Sequence, residues 1–109
     1  KGKEPIVLKV ESLEFKIVLS SPDKDDRLVE NEGCTDYRKR EIVLRDNLDL
    51  LTSTLIFRHE IVHVILYSQG RGFTENFNVE DMCEFIAFNY LLIDRLYKEF
   101  LYLACERTV

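Results

Sequence analysis

The sequence predicts an α+β fold: a short antiparallel sheet with an edge strand, followed by two long packed helices. Two observations carry this. In the first half, β-branched and apolar residues cluster in short runs with partial alternation, at Ile6–Val10, residues 15–19 and Glu41–Arg45. After Asp49 the apolar residues recur at helical spacing, and Gly70 is the one clear stop before a second helical stretch.

The elements follow in order. Ile6–Val10 and residues 15–19 read as strands, with Glu11-Ser12 lying between them. Ser21-Pro22-Asp23 opens a polar stretch that reads as a loop to about Glu32. A third extended segment follows Gly33. Glu41–Arg45 is short and flanked by charge, which predicts an edge strand. Asp49 is a suitable N-cap for a helix to about Gln69, with Gly70 as its C-terminal stop. Leu51, Leu55, His59 and His63 form one i, i+4 row along it, flanked by Val62 and Leu66, and this row is expected to face the core. Residues 71–77 read as a loop. Asn78 then caps a second helix over residues 79–104, with Met82, Ile86, Ile93, Tyr97 and Phe100 as its apolar positions.

A chain of 109 residues is one domain, residues 1–109, and is long enough to bury a core without disulfides. Hydrophobic residues at 46% and charged residues at 32% are a globular balance, not a disordered one. The net charge of -5 disfavours a nucleic-acid binder, and the basic residues Arg38, Lys39, Arg40 and Arg45 read as the solvated side of a strand. The longest apolar run, residues 61–67, is interrupted by His63 and too short to span a bilayer, so no membrane partner is expected. Three cysteines, Cys34, Cys83 and Cys105, form no framework. With residues 1–5 polar and charged, reduced thiols in the cytoplasm are expected.

Both histidines of the chain fall in one motif, His59-Glu60-Ile61-Val62-His63. Residues four apart on a helix face the same way, so two imidazoles at HExxH spacing can reach one zinc ion per chain. The intervening Glu60 lies beside them, placed to take a proton from a metal-bound water. A catalytic zinc takes three protein ligands and keeps an open position. With no third histidine, the third ligand is a carboxylate or a thiolate. Glu80 and Glu84, one turn apart at the start of the second helix in a segment otherwise rich in Met, Cys, Phe and Ile, are the candidates. For the oxyanion that develops at an attacked carbonyl, Tyr37, Tyr67 and Tyr90 are possible donors.

From about Val10 to Leu92 the chain resembles the small phage-type zincins related to the ImmA/IrrE metallopeptidases, a gluzincin-like pattern. The residues that carry this are Gly33-Cys34-Thr35-Asp36-Tyr37, the strand Glu41–Arg45, Asn47-Leu48-Asp49, HExxH, and Glu80-Asp81-Met82-Cys83-Glu84-Phe85-Ile86-Ala87. The resemblance implies a minimal zincin-like domain and a zinc metallopeptidase acting on a protein or peptide, with a regulatory protein as the leading substrate, in the host cytoplasm. It implies Glu80 as third zinc ligand and Glu84 as the acidic group that orients a ligand histidine. Glu84 stands where the family has Asp, and its longer side chain could itself reach the metal. Glu41–Arg45 would be the edge along which substrate adds as a further strand. Tyr37 comes first among the possible oxyanion donors only through this resemblance, its segment lying just before that strand.

Two other readings are open to the sequence. Glu32-Gly33-Cys34 ahead of HExxH is similar to peptide deformylases, whose upstream Gly-Cys segment supplies a thiolate ligand, although their Gly-rich N-terminal motif is lacking here. A zinc-braced interaction module without catalysis is the other, against which the intact Glu60 argues, since structural zinc sites are closed by four ligands.

Overall fold

The computed structural model describes residues 6–70 and 78–107. Strands β1 (Ile6–Val10), β2 (Leu13–Ser20), β3 (Gly33–Asp36) and β4 (Glu41–Arg45) precede helices α1 (Leu50–Ser68) and α2 (Val79–Arg107). This is the α+β architecture of a small sheet followed by two helices. The loop expected over residues 71–77 and the polar residues 1–5 lie outside the described residues.

The sheet order is β1-β2-β4-β3. β1 and β2 pair antiparallel, as do β3 and β4, but β2 and β4 run parallel, with Ile17 opposite Ile42. The sheet is therefore mixed, not antiparallel. Glu41–Arg45 is an interior strand, and β3 forms the edge beside it. The reason lies in burial: Ile42, Val43 and Leu44 are all fully buried. Three consecutive apolar residues mark a strand covered on both faces, whereas the half-exposed β1 alternates strictly. One face of β4 meets α1. The other meets the loop after β2, which carries a 3-10 turn at Asp26–Leu28 and plugs Leu28 into the sheet.

That loop is tied down by charge. Arg27 contacts Asp25 at 2.7 Å, Asp36 at 2.8 Å and Glu41 at 3.1 Å. The hydrogen bonds from Arg27 hold the Asp25 carboxyl at about 2, well below its ordinary 3.8.

Both helix starts form as the sequence predicts. Asp49 accepts from the Thr52 N–H at 2.7 Å, and Gly70 takes φ 74° just past the end of α1. Asn78 and Asp81 exchange reciprocal hydrogen bonds at the start of α2. The buried faces differ from expectation. On α1 the core side is Phe57, Glu60, Ile61, Val64 and Ile65, while Leu51 is 78% exposed. On α2 it is Phe85, Asn89, Leu96 and Phe100, with Met82 and Ile86 exposed. Apolar residues surround α1 almost completely, so periodicity alone could not choose its face. α1 has the length and composition of a membrane-crossing helix, but Phe57, Ile61, Val64 and Ile65 are consumed in the core.

α2 returns antiparallel to α1. Phe57 stacks on Phe100, Arg58 lies over Tyr97, and Gln69 donates to Asn89 at 2.7 Å.

Candidate metal centre and general base

Three residues of the motif separate into two environments. Glu60 points under the edge strand and is 7% exposed, whereas His59 and His63 are exposed. The expected near-burial of the imidazoles is thereby corrected. At about 100° per residue, both histidines lie on one flank of α1 relative to Glu60, and Phe57, which stacks on Phe100 of α2, lies on the other.

The imidazoles lie side by side on one face of α1. Their centroids are 5.0 Å apart with planes inclined at 67°. Two imidazoles bound at Zn–N distances of about 2.0–2.1 Å in tetrahedral geometry place their centroids roughly 5 Å apart. The helix alone sets this spacing, since residues four apart share a face.

Glu60 is held from β3. Thr35 Oγ1 donates to Glu60 Oε1 at 2.6 Å, a short charge-assisted bond. Gly33 lets β3 sit closely on α1: a Cβ there would fall on Ile56 Cγ2. In the sequence Thr35 stands out only as part of a segment resembling a known family, and Gly33 only as the start of an extended segment and beside Cys34. The signal for Thr35 was weak, since a strand hydroxyl gains meaning only once the helix beneath it is known.

The remaining candidates divide. Tyr37 follows directly on β3 and stacks on Tyr67, centroids 4.5 Å apart. Burial pushes the Tyr37 phenol upward, reinforced by the negative charge of Glu60, so it stays a neutral donor at pH 7. Tyr90 is exposed on α2. Cys34 alternates with Thr35 and so points to the opposite sheet face, away from α1. Burial, then the Glu60 charge, raise its thiol, which disfavours the thiolate a ligand must be. Cys34 and Cys83 are free thiols, and the Cys105 side chain lies outside those described.

Glu80 and Glu84 are exposed on the first turns of α2. Since Gln69 meets Asn89, they lie beyond the end of α1, and a rise of about 1.5 Å per residue puts Glu84 about 17 Å and Glu80 about 23 Å along the axis from His63. Among the described residues no three His, Cys, Asp or Glu side chains converge. The structure pairs His59 with His63 on the exposed side of α1, and separately pairs Glu60 with Thr35, with Tyr37 within reach of the Glu60 charge. It brings neither α2 glutamate to the imidazoles among the described residues.

Among the described residues β3 is the edge strand, and it lies beside Glu60. The Glu32 carbonyl accepts from the Arg45 N–H at 3.1 Å, and Cys34 and Asp36 stand opposite Val43 and Glu41 in the same register. Antiparallel pairing alternates, so Gly33 and Thr35 turn their backbone N–H and C=O outward, away from β4.

No known protein family, curated protein or solved structure matches this chain.

Proposed function

We infer that the protein is a zinc-dependent metallopeptidase cleaving a peptide bond in a protein or peptide substrate. The observation that carries this is a buried glutamate, Glu60, anchored beneath an edge strand and flanked on the same helix by two imidazoles at metal-sharing distance.

His59 and His63 would hold the zinc, with Glu80 as third ligand and Glu84 as the group that orients a histidine or substitutes for it. That assignment requires the first turns of α2 to approach the imidazole flank. A bound zinc supplies Lewis acidity and brings the pKa of its water toward about 7. The chain's own contributions are separate from this. Glu60 accepts the proton of the attacking water and returns it to the leaving amine. Tyr37, kept protonated by its surroundings, is the candidate hydrogen-bond donor to the developing oxyanion. An extended substrate pairs with the outward amides of β3, not with the interior β4. Free thiols at Cys34 and Cys83 agree with a reducing compartment, the host cytoplasm for a phage-type protein.

The test is elemental analysis of the purified protein beside His59→Ala, Glu80→Ala, Glu84→Ala and Cys34→Ser, with cleavage of a quenched-peptide library in parallel. One zinc per chain is expected, lost in His59→Ala and Glu80→Ala and retained in Cys34→Ser. Zinc lost in Cys34→Ser and kept in Glu80→Ala would instead select the deformylase-like arrangement. A biological effect that survives Glu60→Gln unchanged would select the non-catalytic module.

A further inference from the structure

We propose that Thr35 is a positioning residue whose hydroxyl sets the Glu60 carboxylate for proton transfer from the very strand that receives the substrate. The inference rests on the peptidase reading above and deepens it.

The argument begins with the burial of Glu60. A helix-borne carboxylate that is 7% exposed has lost most of its water and needs a hydrogen-bond donor. Thr35 Oγ1 is that donor, at 2.6 Å from Oε1, and it also lies 3.5 Å from the Glu60 carbonyl oxygen. A hydroxyl carries one proton, and the shorter, charge-assisted contact takes it. With Oε1 occupied, Oε2 is the oxygen left to accept a proton. Thr is β-branched and stiff about χ1, so the hydroxyl direction is fixed by the strand backbone.

That backbone is the functional edge. Thr35 stands opposite Ile42, at a position where its own N–H and C=O face outward. One residue thus presents its main chain to an incoming strand and its side chain to the base. A displacement of the base of about 1 Å can cost roughly a hundredfold in rate, so a bond that fixes Oε1 matters to turnover more than to binding.

The experiment compares the zinc-loaded wild type with Thr35→Val, which keeps the shape and removes the donor, and Thr35→Ser, which keeps the donor. The probe is the best-cleaved member of a quenched-peptide library. The Val variant is expected to lose about tenfold to a hundredfold in kcat, with KM and zinc content close to wild type. The Ser variant is expected to recover most of the loss. In the zinc-free protein, the Glu60 carboxyl ¹³C resonance, assigned with Glu60→Gln, should move in the Val variant and stay in the Ser variant. Full kcat in Thr35→Val, or equal losses in both variants, overturns the proposal. If the wild type cleaves no peptide, the peptidase reading falls by itself. The carbon resonance then decides whether Thr35 holds Glu60, and an unmoved signal in the Val variant overturns that too.

Discussion

The rings of Phe57 and Phe100 lie 4.2 Å apart and within 5° of parallel, which locks α2 to α1 at one register. Both are buried in the same core cluster as Leu8, Phe15 and Leu96. Replacing Phe100 by Ala removes this stack and leaves a cavity between helix and sheet. The expected loss is about 3–5 kcal/mol, a large part of the stability of a domain this size. Urea unfolding measures it. A loss under about 1 kcal/mol would mean the register is held elsewhere.

Gly33 packs directly against Ile56 of α1. An alanine there would collide with Ile56 Cγ2 and crowd Leu44, while Glu60 Cγ would stay at an ordinary contact distance of 3.5 Å. Gly33→Ala is expected to cost about 1–3 kcal/mol through overpacking. Urea denaturation measures it. Unchanged stability would show that Ile56 yields freely.

Arg27 faces Asp25, Asp36 and Glu41, and removing it leaves three carboxylates together. Asp25 is held at about 2 against an ordinary 3.8. A depressed folded value adds stability above the ordinary one and loses it as pH falls through about 2. Arg27→Leu is therefore expected to be destabilised most near pH 7, with the deficit shrinking between about pH 4 and pH 2. Urea midpoints at pH 7, 4 and 2.5 check this. A deficit independent of pH would assign the loss to packing.

Glu60→Gln preserves shape and exchanges the base for an amide. Turnover is expected to fall by about 10²–10⁴-fold, with zinc content and melting temperature nearly unchanged. Metal analysis, calorimetry and a cleavage assay on one sample test it. Near-normal turnover would remove Glu60 from the proton transfer.

Much of the local structure was legible in the chain. Asp49, Gly70 and Asn78 mark helix ends because capping chemistry acts over three or four residues. β1 and β2 were readable from alternation. HExxH spacing was enough to put His59 and His63 at a metal-sharing distance, since a single helix sets it.

Strand order was not legible, because the parallel pairing of β2 with β4 depends on how the loop between residues 21 and 32 crosses the sheet. Charge at Glu41 and Arg45 suggested an edge; the unbroken run Ile42-Val43-Leu44 was the better signal. Nor could the row Leu51, Leu55, His59, His63 be placed, since an apolar helix offers several faces and only the sheet selects one.

The sequence by itself determined the element types, the helix ends and the pairing of two imidazoles, all set by interactions within a few residues. Only the tertiary structure decided that β3 is the edge strand among the described residues, that Glu60 is buried beneath it while the histidines face solvent, and that Thr35 meets Glu60. Those depend on contacts 25 residues apart or on the far side of a sheet, where local preference carries no information and the packing of β3, β4 and α1 chooses.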